Sequence, residues 1–393
     1  QLQGAPMKNI ISVIVMAGFF LKEAYPFSLH ITQSINASTE NRRIDKWYGP
    51  LSTHILSFRL SANPQIKLEG SEADYILQQS FEISKNQKTS KNLFEIKGKD
   101  GTFISLEQDI ILDSLSEYLN RTILWVLSEK NIDIPHDMDQ FMGIPVMPMP
   151  HKNMNDMGEI LLIKDLQKRA EKALELYEKN PLNILSQYVA AISYEETQNY
   201  GETAEILENL LNVIPGHTGL YLRVCQSLRE CGESNKIIKY AAAAEKKSLI
   251  TDDILIEGAK ALEAAGRHNR ARRVFIDILD KDSTQSDALL FFSRKKFKER
   301  KYDKAIETAE KILSRDSLNS DAYIIKGNSL VKLGKKTEAM PFLEKGYFID
   351  SFLEKGRFQK MMRRIPVYVV MNEFAPLTGA AVYLNTETDS GTD

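Results

Sequence analysis

Residues 321–351 read DAYIIKGNSLVKLGKKTEAMPFLEKGYFIDS, and this stretch decides the fold. Bulky Tyr323, Leu330 and Leu343 recur at helical spacing around small Gly327, Ala339 and Gly346, with Gly334 between two helical runs. Stepping back from Gly327 by 34 residues at a time gives Ser293, Ala259, Cys225 and Ala191. The same step from Ala339 gives Ala305, Ala271, Ile237 and Thr203, a second register twelve residues downstream of the first. Two coincident series of one period imply stacked helix pairs.

The physical reason lies in packing. A single pair cannot bury its apolar face alone, and neighbouring pairs must approach closely to do so. One short side chain on each helix permits that approach, while Phe275, Ile278, Ile312, Phe342 and Leu343 fill the remaining space. Between the helices of a pair, Cys231-Gly232-Glu233, Ala265-Gly266-Arg267 and Leu333-Gly334-Lys335 offer a glycine for the left-handed helix end. The fourth pair has Arg300-Lys301-Tyr302 there instead. In period and residue pattern, residues 185–351 resemble the tetratricopeptide (TPR) repeat, in five units. The resemblance implies a surface that binds a peptide or partner protein.

Several classes of function are disfavoured by composition. Fifty-one basic residues against 53 acidic ones leave a net charge of −2, which argues against nucleic acid as the partner of this portion. The two cysteines, Cys225 and Cys231, form no disulfide framework. Residues 10–21, IISVIVMAGFFL, are too short to cross a bilayer as a helix. They read either as a signal-peptide core behind Lys8 or as a buried first strand; the absence of a small-residue cleavage site favours the strand. Both a cytoplasmic location and the outer part of a membrane-anchored regulator stay open. The opening Gln1-Leu2-Gln3 reads as a fragment or a tag scar.

Ahead of the repeats, residues 1–130 read as a small α+β domain. A helix is expected to begin near Pro50, with Leu51, Ile55 and Phe58 on one face and His54 beside them, and to end at Asn63-Pro64. Strands follow at Ile66–Leu68, Tyr75–Ile83, Asn92–Lys97 and Thr102–Ser105, then a helix over Leu106–Glu129 carrying Ile111, Leu115, Leu119 and Ile123. The segment ADYILQQS at 73–80, the hairpin after it and that last helix resemble the domain preceding TPR arrays in two groups. These are TPR-bearing adenylate cyclases and ToxR-like winged-helix activators. The likeness implies a sensory or interaction module, with any helix-turn-helix or cyclase domain expected on a further part of the chain.

Residues 131–158 carry Pro135, Pro145, Pro148 and Pro150, which forbid a long helix, and six methionines. A connector is the expected role. Thioethers with His136 and His151 offer the alternative of a Cu(I) site. From Ile160 to Lys179 a capping half-repeat helix is expected, so the solenoid spans 159–351.

At the other end, Lys355-Gly356-Arg357-Phe358, Ile365-Pro366-Val367 and Gly379-Ala380-Ala381 resemble the end of bacterial glucokinases. Residues 352–385 therefore read as a βα tail, with 386–393 as a disordered end. A sugar kinase also needs a glycine-rich phosphate loop and an aspartate base. No such loop occurs here, so the resemblance carries over no catalytic residue. The six histidines show no HxxxH or HExxH spacing, and no metal or cofactor is expected. What remains is charge. The clusters GRHNRARR (266–273) and RKKFKERK (294–301) fall in adjacent repeats. Arg270, Arg273, Arg294, Lys295 and Lys298 are the candidate partner-binding residues, suited to an acidic peptide or carboxylate.

Overall fold

The computed structural model describes residues 27–32, 35–37, 43–63, 66–68, 73–85, 87–111, the helical positions 115, 119, 122, 123, 125 and 126, and 151–353 apart from 182. The expectations for residues 10–21, for the copper site with His136, and for the tail beyond Leu353 lie outside the described residues. The chain forms two compact units, residues 1–265 and 266–393, divided at the turn of the third sequence repeat.

The first unit opens with a mixed sheet. Strands β1 (Phe27–Ile31), β3 (Ile66–Leu68) and β4 (Tyr75–Ile83) run parallel, and β2 (Ile35–Asn36) extends the β1 edge along β4. Strands β5 (Thr89–Gly98) and β6 (Phe103–Ile111) continue antiparallel, in the order β3-β1-β4-β5-β6. Helix α1 (Arg43–Leu60) crosses between β1 and β3 and buries Trp47, Tyr48, Leu51, Ile55, Leu56 and Phe58. Leu77, Phe81, Phe94, Ile96 and Ile110 from the sheet share that core. Tyr48 Oη also lies 2.9 Å from Ser90 Oγ and 3.2 Å from Asn92 Oδ1, and burial pushes its phenol up to about 12.

Three expectations are corrected here. The first helix begins at Arg43, not near Pro50, so Pro50 sits inside it at the expense of one backbone hydrogen bond. Residues 106–111 are strand, not helix, because every residue of β6 pairs with β5. Ile104, Leu106, Gln108 and Ile110 point inward by simple alternation, and Ile111 is exposed. The helical positions start after it, and Leu115, Leu119 and Ile123 are buried as expected. Lastly, helix α2 (His151–Leu161) occupies the end of the Pro/Met-rich stretch, and a turn separates it from α3 (Leu166–Lys179). Met154 and Met157 are core residues of α2, and a Cβ on Gly158 would strike the Trp47 ring at 2.4 Å. Close contact between α1 and α2 is what that glycine allows.

Ten helices follow, two to each 34-residue repeat: α4 (Ile184–Glu196) packs with α5 (Tyr200–Val213) and α6 (Thr218–Glu230) with α7 (Ser234–Lys246) in the first unit, which ends on α8 (Asp252–Ala264), and the second unit opens on α9 (His268–Lys281), where α10 (Ser286–Lys298) packs with α11 (Tyr302–Leu313) and α12 (Ser320–Lys332) with α13 (Lys336–Leu353). This is a mostly α protein, a TPR-like solenoid behind a small α+β domain. Every member of both 34-residue series is buried. At Gly327 the cause is measurable: a Cβ there would lie 2.6 Å from the Leu343 side chain and 3.3 Å from the Ala339 carbonyl oxygen.

A third series of the same period appears in the backbone. Gln198, Gly232, Gly266, Arg300 and Gly334 all have positive φ, from 60° to 82°. Each ends the first helix of its pair, and the glycine-free turn at Arg300 adopts the same left-handed geometry as the others. First helices start on side-chain caps, Asn183, His217, Thr251, Gln285 and Asn319, each satisfying backbone N–H groups of its own first turn. Among the described residues no helix is long and apolar enough to cross a membrane.

Within the first unit the sheet domain is locked to the second helix pair. The carbonyls of Ser61 and Ala62, just past α1, accept from the amides of Gly219 (2.8 Å) and Thr218 (3.4 Å), which open α6. Unsatisfied groups at a helix C-terminus thus meet those at a helix N-terminus. His217 sits between them. Its Nδ1 accepts from the Leu220 amide at 3.2 Å, so Nε2 carries the proton and donates to the Phe58 carbonyl at 2.8 Å. The Phe58 ring packs against Tyr188 and His217, with centroids 4.3 Å and 4.5 Å away.

Candidate functional site

Charge along the first helices of the pairs follows the stacking. In the first unit Arg223 pairs with Glu195, and Arg229 pairs with Glu257, each reaching from one first helix to a neighbouring one. Glu257 is nearly buried and also lies 3.9 Å from Lys260. These arginines are consumed internally.

The expected partner-binding residues all lie in the second unit. Arg270 and Arg273 are exposed on α9, and Arg294 and Lys298 are exposed on α10, while Lys295 is half-buried. Lys295 and Lys298 belong to the last turn of α10, where positive charge suits the helix dipole. Arg294 and Lys298 share a cavity. That shallow groove of about 140 Å³ is lined by them with Phe297, and by Ile325 and Asn328 from α12. Arg270, Arg273 and Lys295 do not line it.

Arg294 meets Asp321 at 2.9 Å, with both side chains close to half exposed. An exposed pair of this kind is worth about 0–1 kcal/mol, so an incoming carboxylate can displace it at little cost. Phe297 and Ile325 supply an apolar floor, and Asn328 supplies an amide. Chemically, the groove can hold a carboxylate beside an apolar side chain.

Sequence reasoning named the cations and did not name the residues that floor the groove. The signal was present: Asn328 is the residue 34 positions after Arg294, and Ile325 is 34 after Phe291. Carrying the period beyond the small residues would have placed them together.

A larger recess of about 310 Å³ lies between α9, α10 and α11, lined by Ile276, Leu279, Leu289 and Phe292 with Lys296 and Thr308. Lys296 Nζ donates to Thr308 Oγ1 at 2.7 Å there. Among the described residues no group of three or more His, Cys, Asp or Glu is placed to hold a metal ion.

Comparison with known proteins divides the chain. The glucokinase family model matches residues 334–387. A glucokinase from Synechocystis sp. is 46% identical over 57 residues, which cover 14% of this chain and 16% of that protein. The chain thus spans about a sixth of the length of the relative it matches. Among solved structures, a tetratricopeptide repeat protein from Parabacteroides merdae aligns with 54% of this chain and 88% of its own, at 14% identity and a TM-score of 0.42. YrrB, described as a TPR protein with an unusual peptide-binding site, aligns with 49% of this chain and 96% of its own, at 13% identity and a TM-score of 0.33. MamA (MSR-1) aligns with 43% of this chain and 97% of its own, at 12% identity and a TM-score of 0.33. The glucokinase match begins at Gly334, the turn of the fifth helix pair, and so takes in all of α13.

Proposed function

We propose that this chain is a non-enzymatic interaction or sensory module whose solenoid binds a peptide or partner protein, within a signalling or transcription-regulatory protein. The α+β domain over 1–130 acts as the sensory part, and the repeats over 159–351 carry the binding surface. One observation carries the reading: Arg294 and Lys298 stand exposed beside the apolar floor of Phe297 and Ile325. That combination favours an acidic peptide with an apolar anchor, since charge selects and steers while the buried anchor supplies affinity. Affinity capture with the full chain and with its Arg294→Glu/Lys298→Glu variant tests it. Partners recovered by the first and lost by the second are expected; identical recovery removes the groove from consideration.

A second reading, ATP-dependent phosphorylation of a sugar, is favoured by the glucokinase match over 334–387. No glycine-rich phosphate loop occurs in the sequence given. A coupled assay for glucose 6-phosphate on pure protein decides it, and turnover there would displace the binding-module reading.

A further inference from the structure

The recess between α9, α10 and α11 breaks the repeat pattern in two places at once. Lys296 stands in the register of Tyr194, Leu228, Leu262 and Leu330, and Thr308 in the register of Ile206, Tyr240, Val274 and Phe342. In the other four repeats both registers carry an aliphatic or aromatic side chain; in the fourth, both are polar. Leu228 and Leu330 are only 2% and 6% exposed, so the Lys296 register is one that the solenoid buries. The two exceptions meet. Lys296 Nζ donates to Thr308 Oγ1 at 2.7 Å, and Thr308 Oγ1 donates in turn to the Lys304 carbonyl at 2.8 Å. Among the described residues Lys296 makes no ion pair, whereas Lys311, which also lines the recess, is held by Glu307 at 2.8 Å. A half-buried ammonium that meets only a neutral hydroxyl keeps donor capacity for an anion.

We propose that this recess binds a small monocarboxylate with an apolar body, of the size of a medium-chain fatty acid. The carboxylate sits on Lys296, and the chain lies against Leu279, Leu289 and Phe292. Size selects a small molecule over a peptide segment: the recess holds about 310 Å³, at the lower end of the roughly 300–1,000 Å³ of ligand pockets. Charge selects one negative group. Lys296 is available, Lys311 is already paired, and the exposed carboxylate of Asp280, which also lines the recess, disfavours a dianion. The site goes beyond the peptide groove and is separate from it. Lys296 is two residues from both Arg294 and Lys298, which places it about 200° around α10 from each, so either site can exist without the other.

The test is isothermal titration calorimetry of the full chain with sodium octanoate, below its micellar concentration, and with octan-1-ol as the uncharged probe of equal chain length. Lys296→Met keeps the apolar walls and removes the charge. Octanoate affinity is expected to fall about tenfold in it, with octan-1-ol binding unchanged. Thr308→Phe, which installs the residue of the fifth repeat, is expected to fill the recess and abolish binding of both probes. Because the larger ring can disturb packing, Thr308→Ile, the residue of the first repeat, serves as a second filling variant with the same expected loss. Absence of saturable octanoate binding to the parent chain overturns the proposal, as do equal octanoate affinities in the parent and Lys296→Met. An equal loss of both probes in Lys296→Met overturns it too, since the lysine would then act only in packing.

Discussion

Ser293 Oγ donates a hydrogen bond to the Ala305 carbonyl oxygen at 2.9 Å, joining one member of each 34-residue series inside the fourth helix pair. Both residues are fully buried. Replacing Ser293 by Ala loses that bond and is expected to cost about 1 kcal/mol. Replacing it by Leu forces the two helices apart, at about 2–3 kcal/mol. Urea unfolding followed by circular dichroism measures both, and equal midpoints for the two variants would mean that close approach does not set the period.

The left-handed turns make a prediction of opposite sign. Gln198 and Arg300 hold φ near 60° with side chains present, while Gly232 and Gly334 hold 75° and 82° without strain. Gln198→Gly and Arg300→Gly should each stabilise by about 1 kcal/mol, and Gly232→Ala and Gly334→Ala should destabilise by a similar amount. Midpoints that move the other way in either set would contradict this assignment of strain.

Acid should loosen the first unit through His217. Burial depresses its pKa from 6.5 to about 4, the backbone of Phe58 and of His217 itself opposes the shift, and Arg223 adds to it. A proton on Nδ1 would also point at the Leu220 amide, which is itself a donor. Above pH 6.5 both folded and unfolded chains hold the neutral ring. Between pH 6.5 and 4 only the unfolded chain takes up the proton, so stability falls as pH falls, by roughly 3 kcal/mol across that window. His54, brought to about 4 by burial and then by Arg223 and Arg169, adds in the same direction. Denaturant titrations at pH 7, 6 and 5 should give a smaller loss for His217→Gln than for the parent chain. A parallel loss in both proteins would point to other groups.

The two thiols should separate cleanly. Cys231 is exposed at the end of α6, while Cys225 is buried and its pKa is pushed up to about 12 by burial and then by Glu257. A disulfide reagent at pH 8 should titrate one thiol in the folded chain and the second only after denaturation. Two fast equivalents would place Cys225 outside the core.

Much of the solenoid was legible because helix stacking writes one small residue per helix at a fixed interval, as Ala191, Cys225, Ala259, Ser293 and Gly327 do. The glycine turns were legible for the same reason, and Arg300 shows that the backbone keeps the period even where the residue type does not. The sheet domain was harder. A run such as Phe103–Ile111 has apolar residues at both helical and alternating spacing, and only the long partner strand Thr89–Gly98 decides between them. Helix α1 extended past Pro50 because Trp47 and Tyr48 have a core to enter, a tertiary gain that outweighs one lost hydrogen bond. Arg294 and Lys298 could be read from charge alone. Ile325 and Asn328 could not, since only the packing of α12 beside α10 brings them to that groove.

The splice at residues 217–219 has a mechanical consequence. Helix ends that would otherwise want water are plugged into one another, so the β-sheet and the helices of the first unit behave as a single lever with no universal joint between them. A protease that nicks the chain between 131 and 150 should yield two fragments that still travel together through a sizing column, and a tug on the sheet should be felt first at Thr218 and Gly219.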